Sequence, residues 1–225
     1  MSLRKPFFSI SVFITLGLLL FTGTACTRIF YASMKKLGRE KRDILVSRIV
    51  DAKKAETEAS EQFKTALEAF QSVTQFSGGD IEKAYNKLND EMKDAQGRAN
   101  KVSDRIQSID KVSKDLFKEW SGEIDQMSDG KLKNESRVLL RGSEQRQTEL
   151  LRQMRVSEAK MKPVLQKLFD QVIFLKSNLN ARAISSLKTH AASIDSDVTD
   201  LIKEIEKSNA EADKAIAGLT AASEP

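Results

Sequence analysis

The chain has 225 residues, 31% of them charged and 6% aromatic, with a formal net charge of +5, one cysteine and one histidine. So few cysteines and histidines exclude a disulfide-stapled domain and the usual Cys/His zinc sites. The basic residues are interspersed with acids rather than clustered among aromatics, and the pattern GxxxxGK[ST] is absent, so nucleic-acid binding and phosphate-loop NTP chemistry are excluded as first readings.

In chain order the first element is an export signal. "MSLRKP" supplies Arg4 and Lys5, "FFSISVFITLGLLLF" is an uncharged apolar run, and Thr22, Gly23, Thr24 and Ala25 are small residues before Cys26. That is the three-part order of a secretory signal, and the apolar run is shorter than the ~20 residues that span a bilayer. A cysteine directly after the cleavage point resembles bacterial lipoproteins, so residues 1–25 are expected to be removed. Cys26 would then be lipidated, with residues 26–30 as a tether. Gly23 stands where lipoprotein signals usually carry Leu. Two alternatives stay open: cleavage after Ala25 to leave a free thiol, or retention of the segment as an N-terminal anchor. Thr27, rather than Asp, after the cysteine favours the outer membrane by resemblance to enterobacterial sorting. Removing residues 1–25 takes away Arg4 and Lys5 and leaves a net charge of +3.

The remainder reads as an all-α, elongated antiparallel bundle or coiled coil of three to four long helices over 31–219, with 220–225 as a tail. The first helix is expected over 31–76. Its seam is Leu45, Ile49, Ala52, Ala59, Phe63, Ala66, Phe70 and Val73, in alternating steps of four and three, with Glu56 as the one skipped position. Upstream, Tyr31, Met34, Gly38 and Lys41 form a stripe that shifts by a residue at Leu45, as a stutter would. "FSGGD" then makes a turn with Asp80 as N-cap. The second helix, 81–127, carries Ile81, Tyr85, Leu88, Met92, Ala95, Ala99, Val102, Ile106, Ile109, Val112, Leu116, Trp120 and Ile124, which places Tyr85 and Trp120 in the core. "MSDGK" is the next turn.

The third helix, 133–178, has an uncertain start, because Gly142 could break it before a restart at Ser143. From Leu150 the stripe is Leu150, Met154, Met161, Leu165, Leu168, Val172, Leu175 and Leu179, with Pro163 expected to bend the helix. The fourth, 181–219, carries Leu187, Ala191, Ile194, Val198, Leu201, Ile205, Ser208, Ala212, Ala215 and Leu219. "KSNLNARA" between them has neither Gly nor Pro. A turn there is favoured because it leaves four helices of nearly matched length to bury one another's stripes. An unbroken helix would instead require a dimer.

Two polar clusters are candidate interaction sites. Lys41, Arg42 and Asp43, with Arg48, lie near the anchored end, where basic residues would meet lipid headgroups or a membrane partner. Asn178, Asn180 and Arg182 would form a docking tip at the other end, ~70 Å away. The plainer readings are a solvated charged face for the first cluster, and capping and register setting for the second. His190, beside the fourth seam, reads as a boundary residue. No catalytic, cofactor-binding or metal-ligating residue is expected.

The stretches "YASMKKLGREKRDILVSRI" and "QVIFLKSNLNARAISSL", with "KRDILV" and "LNARAI" at their centres, together with the "GGD" turn and "LFKEW" near Trp120, resemble an uncharacterised family of proteobacterial helical lipoproteins. The resemblance spans nearly the whole mature chain. It implies a cysteine shortly before the tyrosine, which agrees with Cys26, but no activity, substrate or catalytic residue. Some members carry a label as DNA repair ATPases; it is discounted here, since long coiled coils attract it and the phosphate loop is missing. The expectation is a non-enzymatic lipoprotein of a Gram-negative envelope, facing the periplasm, with a structural or adaptor role. It would be held to the lipid bilayer by acyl chains and bind an envelope protein or the cell wall, without cofactor or nucleic acid. Thin alanine-rich seams also invite a homodimer. The alternatives are a lipid-binding, membrane-remodelling helical protein and, last, an enzyme with an unrecognised site.

Overall fold

A computed structural model describes residues 41–76, 78, 80–178 and 180–221. They form four helices: α1 (Lys41–Thr74), α2 (Ile81–Gln126), α3 (Gly130–Ser177) and α4 (Ala181–Ala221). Each helix packs on its neighbours in chain order, α4 closes the ring against α1, and the diagonal pairs barely touch. The result is an up-down-up-down four-helix bundle with no strand among the described residues. At 1.5 Å per residue the longest helices run about 70 Å.

Antiparallel register is read from the cross-helix bonds. Between α1 and α2, Lys41 meets Glu119, Glu58 meets Lys101, and Gln62 meets Glu91, so one number falls as the other rises. Between α1 and α4, Lys53 meets Asp213 and Gln71 meets Asp195.

The helices start where side chains replace missing backbone partners. Asp80 accepts from the Lys83 amide at 3.1 Å, and Asp129 accepts from Lys131 and Leu132 at 2.8 and 3.1 Å. Capping by Asp129 is why α3 begins at Gly130 rather than near residue 133, and the helix then runs unbroken through Gly142. It also continues through Pro163, whose ring removes one hydrogen bond. The carbonyl left over belongs to exposed Ala159, where water can serve it.

The heptad seams form the core. Leu45, Ile49, Phe63, Phe70 and Val73 of α1 are fully enclosed, with Ala52, Ala59 and Ala66 between them. Leu88, Val102 and Ile109 of α2, Leu150, Met154 and Leu168 of α3, and Leu187, Val198 and Leu201 of α4 complete it. Burying each large side chain is worth about 1.5–3 kcal/mol. Four described seam positions depart from expectation: Ile81 and Ala191 are half-buried, and so are two aromatic residues. Tyr85 and Trp120 are half-buried rather than core. Trp120 lies toward the end of α2, where it reaches across to α3 instead of inward: its indole Nε1 donates to Ser136 Oγ at 3.1 Å. Residues 31–40 and Leu179, which the sequence pattern places on helical stripes, lie outside the described residues, as does the 222–225 part of the tail.

Candidate functional site

Cys26 lies outside the described residues. Lys41 and Arg42 do not sit together as a free basic patch. Lys41 Nζ is 2.6 Å from Glu119, and the Arg42 guanidinium lies 5.6 Å from the centre of the Trp120 ring. Asp43 is exposed, and Arg48 is 3.8 Å from Asp51 on its own helix. The first turn of α1 is thus tied to the last turns of α2, and Trp120 passes that link to Ser136 on α3.

At the opposite end, Asn180 Oδ1 accepts from the Ala183 amide at 3.0 Å, and Asn178 Nδ2 donates to the Phe174 carbonyl at 3.0 Å. These are capping roles: Asn178 covers the end of α3 and Asn180 the start of α4. Arg182 and His190 are exposed.

The most unusual group is one the heptad pattern passed over. Glu56 has no exposed surface, and it joins three helices. Ser208 Oγ of α4 donates to its Oε2 at 2.8 Å, and Ser157 Oγ of α3 bonds its Oε1. Both serines are themselves fully buried. Ser157 Oγ also lies 2.8 Å from the Met154 carbonyl. One hydroxyl hydrogen serves one acceptor, so both Ser157 contacts are satisfied when the Glu56 carboxyl carries a proton and donates it to Ser157. Burial pushes the Glu56 pKa up from 4.5 to about 7, against the opposing pull of the two serines. The cations nearest in register are engaged elsewhere: Lys53 with Asp213, Lys160 and Lys207 with Glu204, and Arg98 and Lys101 with Glu58.

The signal for this cluster was present but scattered. Glu56 interrupted the α1 stripe, Ser208 stood within the α4 stripe, and the α3 stripe skipped from Met154 to Met161. Only the fold brings those three irregularities into one layer.

Two carboxylates on the outer seams behave oppositely. Hydrogen bonds from Lys207 and Lys160 bring Glu204 down to about 2. A hydrogen bond from Lys101, with Arg98 and Lys54 nearby, lowers Glu58. Both serve as cross-helix ties, Glu204 between α3 and α4 and Glu58 between α1 and α2.

Along the outside, α2 and α3 leave an open groove of about 450 Å³. Met92 and Ala99 of α2, and Met161, Leu165 and Phe169 of α3, form its apolar part. A second stretch of about 420 Å³ continues past Ser103 and Glu158 to Lys114 and Arg155. The walls are amides, hydroxyls and charges without a convergent set. Among the described residues, no group of three or more His, Cys, Asp or Glu is placed to hold a metal ion, and no helix is long and apolar enough to cross a membrane.

A family model described as "Protein of unknown function (DUF2959)" matches residues 30–219. The chain belongs to this family. The match takes in all four helices almost to the end of α4, so the closed bundle is the family's domain in this chain. Two of the stretches that carried the resemblance, "KRDILV" and "LFKEW", meet in space through Lys41–Glu119 and Arg42–Trp120. No curated protein and no solved structure matches the chain.

Proposed function

We propose that this family member is a membrane-anchored periplasmic lipoprotein that acts as a structural or adaptor element, without catalysis of its own. The observation that carries the reading is the order of parts along the chain. A basic, apolar and small-residue leader ends at Cys26, and a closed four-helix bundle begins fifteen residues later at Lys41. Two or three acyl chains, at ~0.8 kcal/mol per CH₂ buried, would hold such a bundle to a bilayer far more firmly than one chain does. Interior positions are given over to packing. Among the described residues, the one carboxylate with a strongly raised pKa is sealed within the bundle, out of reach of a substrate. What remains for recognition is the outside of the rod, and the α2–α3 groove is an indented part of that surface.

The test is the intact mass of the chain extracted from membranes of a Gram-negative host, with fragmentation of its N-terminal peptide. The expected species starts at Cys26 and carries diacylglycerol with or without a further acyl chain. A peptide starting at Met1, or an unmodified Cys26 thiol, overturns the anchoring. Photo-crosslinkers placed at the exposed Gln107 and Gln166 along the groove then test the adaptor role. A discrete adduct with an envelope component supports it, and labelling of neighbouring lipid alone overturns it.

A further inference from the structure

The α3–α4 end of the bundle differs from the rest of the surface. Between Glu158 and Asp195 the chain has six basic residues (Lys160, Lys162, Lys167, Lys176, Arg182 and Lys188) and a single acid, Asp170. Lys160 and Lys167 are paired with Glu204 and Asp197 on α4. Asp170 is occupied by Gln166, whose Nε2 donates to it at 2.8 Å. Lys162, Lys176, Arg182 and Lys188 are exposed and have no ion pair among the described residues.

Three large apolar side chains stand among these cations. Phe169, Ile173 and Phe174 are 43, 45 and 39% exposed. All three lie within about 15 Å, along the helix axis, of Asn178 at the end of α3. A second exposed apolar group, Leu132, Val138 and Leu139 near the start of α3, also lies among cations, but there Arg137 pairs with Asp125 and Lys133 donates to the Asp125 carbonyl, so fewer of them are left for a partner.

We infer that the α3–α4 tip docks on an anionic lipid surface, with Phe169, Ile173 and Phe174 entering the headgroup–acyl boundary and Lys176, Arg182 and Lys188 reaching the lipid phosphates. The charge supplies the complementarity. Each basic residue close to an anionic bilayer strengthens binding by about fivefold. The exposed apolar side chains select lipid over other polyanions, because only a bilayer offers them an apolar medium. Lysine and arginine stems lie along such a boundary while their charges stay in water. At the same end of the bundle, the start of α2 balances Lys83 and Lys87 against Asp80 and Glu82, so the charge excess falls on the α3–α4 half. The bundle would then carry a lipid-facing tip about 70 Å from the start of α1. This inference stands whatever becomes of Cys26.

The test is local to the tip and uses the full chain. Phe174→Trp adds a second indole to a protein whose own tryptophan, Trp120, lies toward the other end and supplies the background. Vesicles with brominated acyl chains, made of phosphatidylcholine alone or with phosphatidylglycerol, are then titrated in. The expected result is at least twofold quenching of the added indole by the anionic vesicles only. It should disappear at 0.5 M salt and weaken by about 25-fold or more in apparent affinity in Lys176→Glu/Arg182→Glu. Both substituted positions are exposed, and far-ultraviolet circular dichroism checks that the helices persist. Absence of quenching, equal quenching by neutral vesicles, or indifference to salt and charge reversal overturns the inference.

Discussion

Replacing Glu56 by Gln tests the interior most directly. In the folded chain the carboxyl titrates at about 7 instead of 4.5, because burial opposes its charge more than Ser157 and Ser208 favour it. A shift of that size is worth about 3 kcal/mol, at 1.36 kcal/mol per pH unit. The folded pKa is raised, so the contribution is fully present below pH 4.5, where both states hold the proton. Between pH 4.5 and 7 the unfolded chain releases its proton while the bundle keeps one, and stability falls. Above 7 the loss is complete and a charge sits unpaired among α1, α3 and α4. Glutamine keeps the shape of the protonated acid. Its amide can donate to Ser157 while its carbonyl accepts from Ser208, with no proton to lose. Urea unfolding of both proteins, followed by circular dichroism at 222 nm from pH 5 to 8.5, gives two curves. Their difference removes the carboxylates common to both, including Glu204 and Glu58, whose lowered pKa values act in the opposite sense at acid pH. Glu56→Gln is expected to gain about 3 kcal/mol over wild type from the acid to the alkaline end, most of it between pH 5 and 7.5. Parallel curves would mean that Glu56 titrates normally, through water admitted to the layer, and would refute the reasoning.

Other expectations follow from the same packing. Phe63→Ala empties a fully enclosed position in α1 and should lower unfolding stability by about 3–5 kcal/mol, read from urea midpoints. Asn180→Ala removes the acceptor for the Ala183 amide and should cost about 1 kcal/mol, with faster hydrogen exchange confined to the first turn of α4. Gly97→Ala, at an exposed position within α2 where an added Cβ meets nothing within 4 Å, should raise stability by up to about 1 kcal/mol in thermal unfolding. Gly218→Ala should gain less than Gly97→Ala, because its Cβ would come 2.7 Å from Arg146 Nε and the arginine would have to move.

The helical class and the seams were legible because they are local. A four-and-three apolar rhythm commits a long segment to a helix with one wet and one dry side, and the rhythm alone named Leu45, Phe63, Val102, Ile109 and Leu168 as interior. Turn residues were equally local, and Asp80 and Asn180 cap the helices they precede. The start of α3 stays open in the sequence because Gly130 and Gly142 look like breaks. Asp129 capping and the packing of the helix on both neighbours outweigh a glycine penalty of about 1 kcal/mol. Trp120 was misplaced because a heptad template ranks aromatics as core, without seeing that Arg42 and Ser136 wait at the surface.

By itself the sequence determined long amphipathic helices and their turns, since each depends on residues a few positions apart. Tertiary structure decided which helices are neighbours, and so which polar residues share a layer. Glu56 meets Ser157 and Ser208 across 101 and 152 residues of chain, and Lys41 and Arg42 find Glu119 and Trp120 on another helix. The physical reason is that a buried carboxyl takes its properties from the low-dielectric layer around it, and that layer exists only once three helices have closed on it.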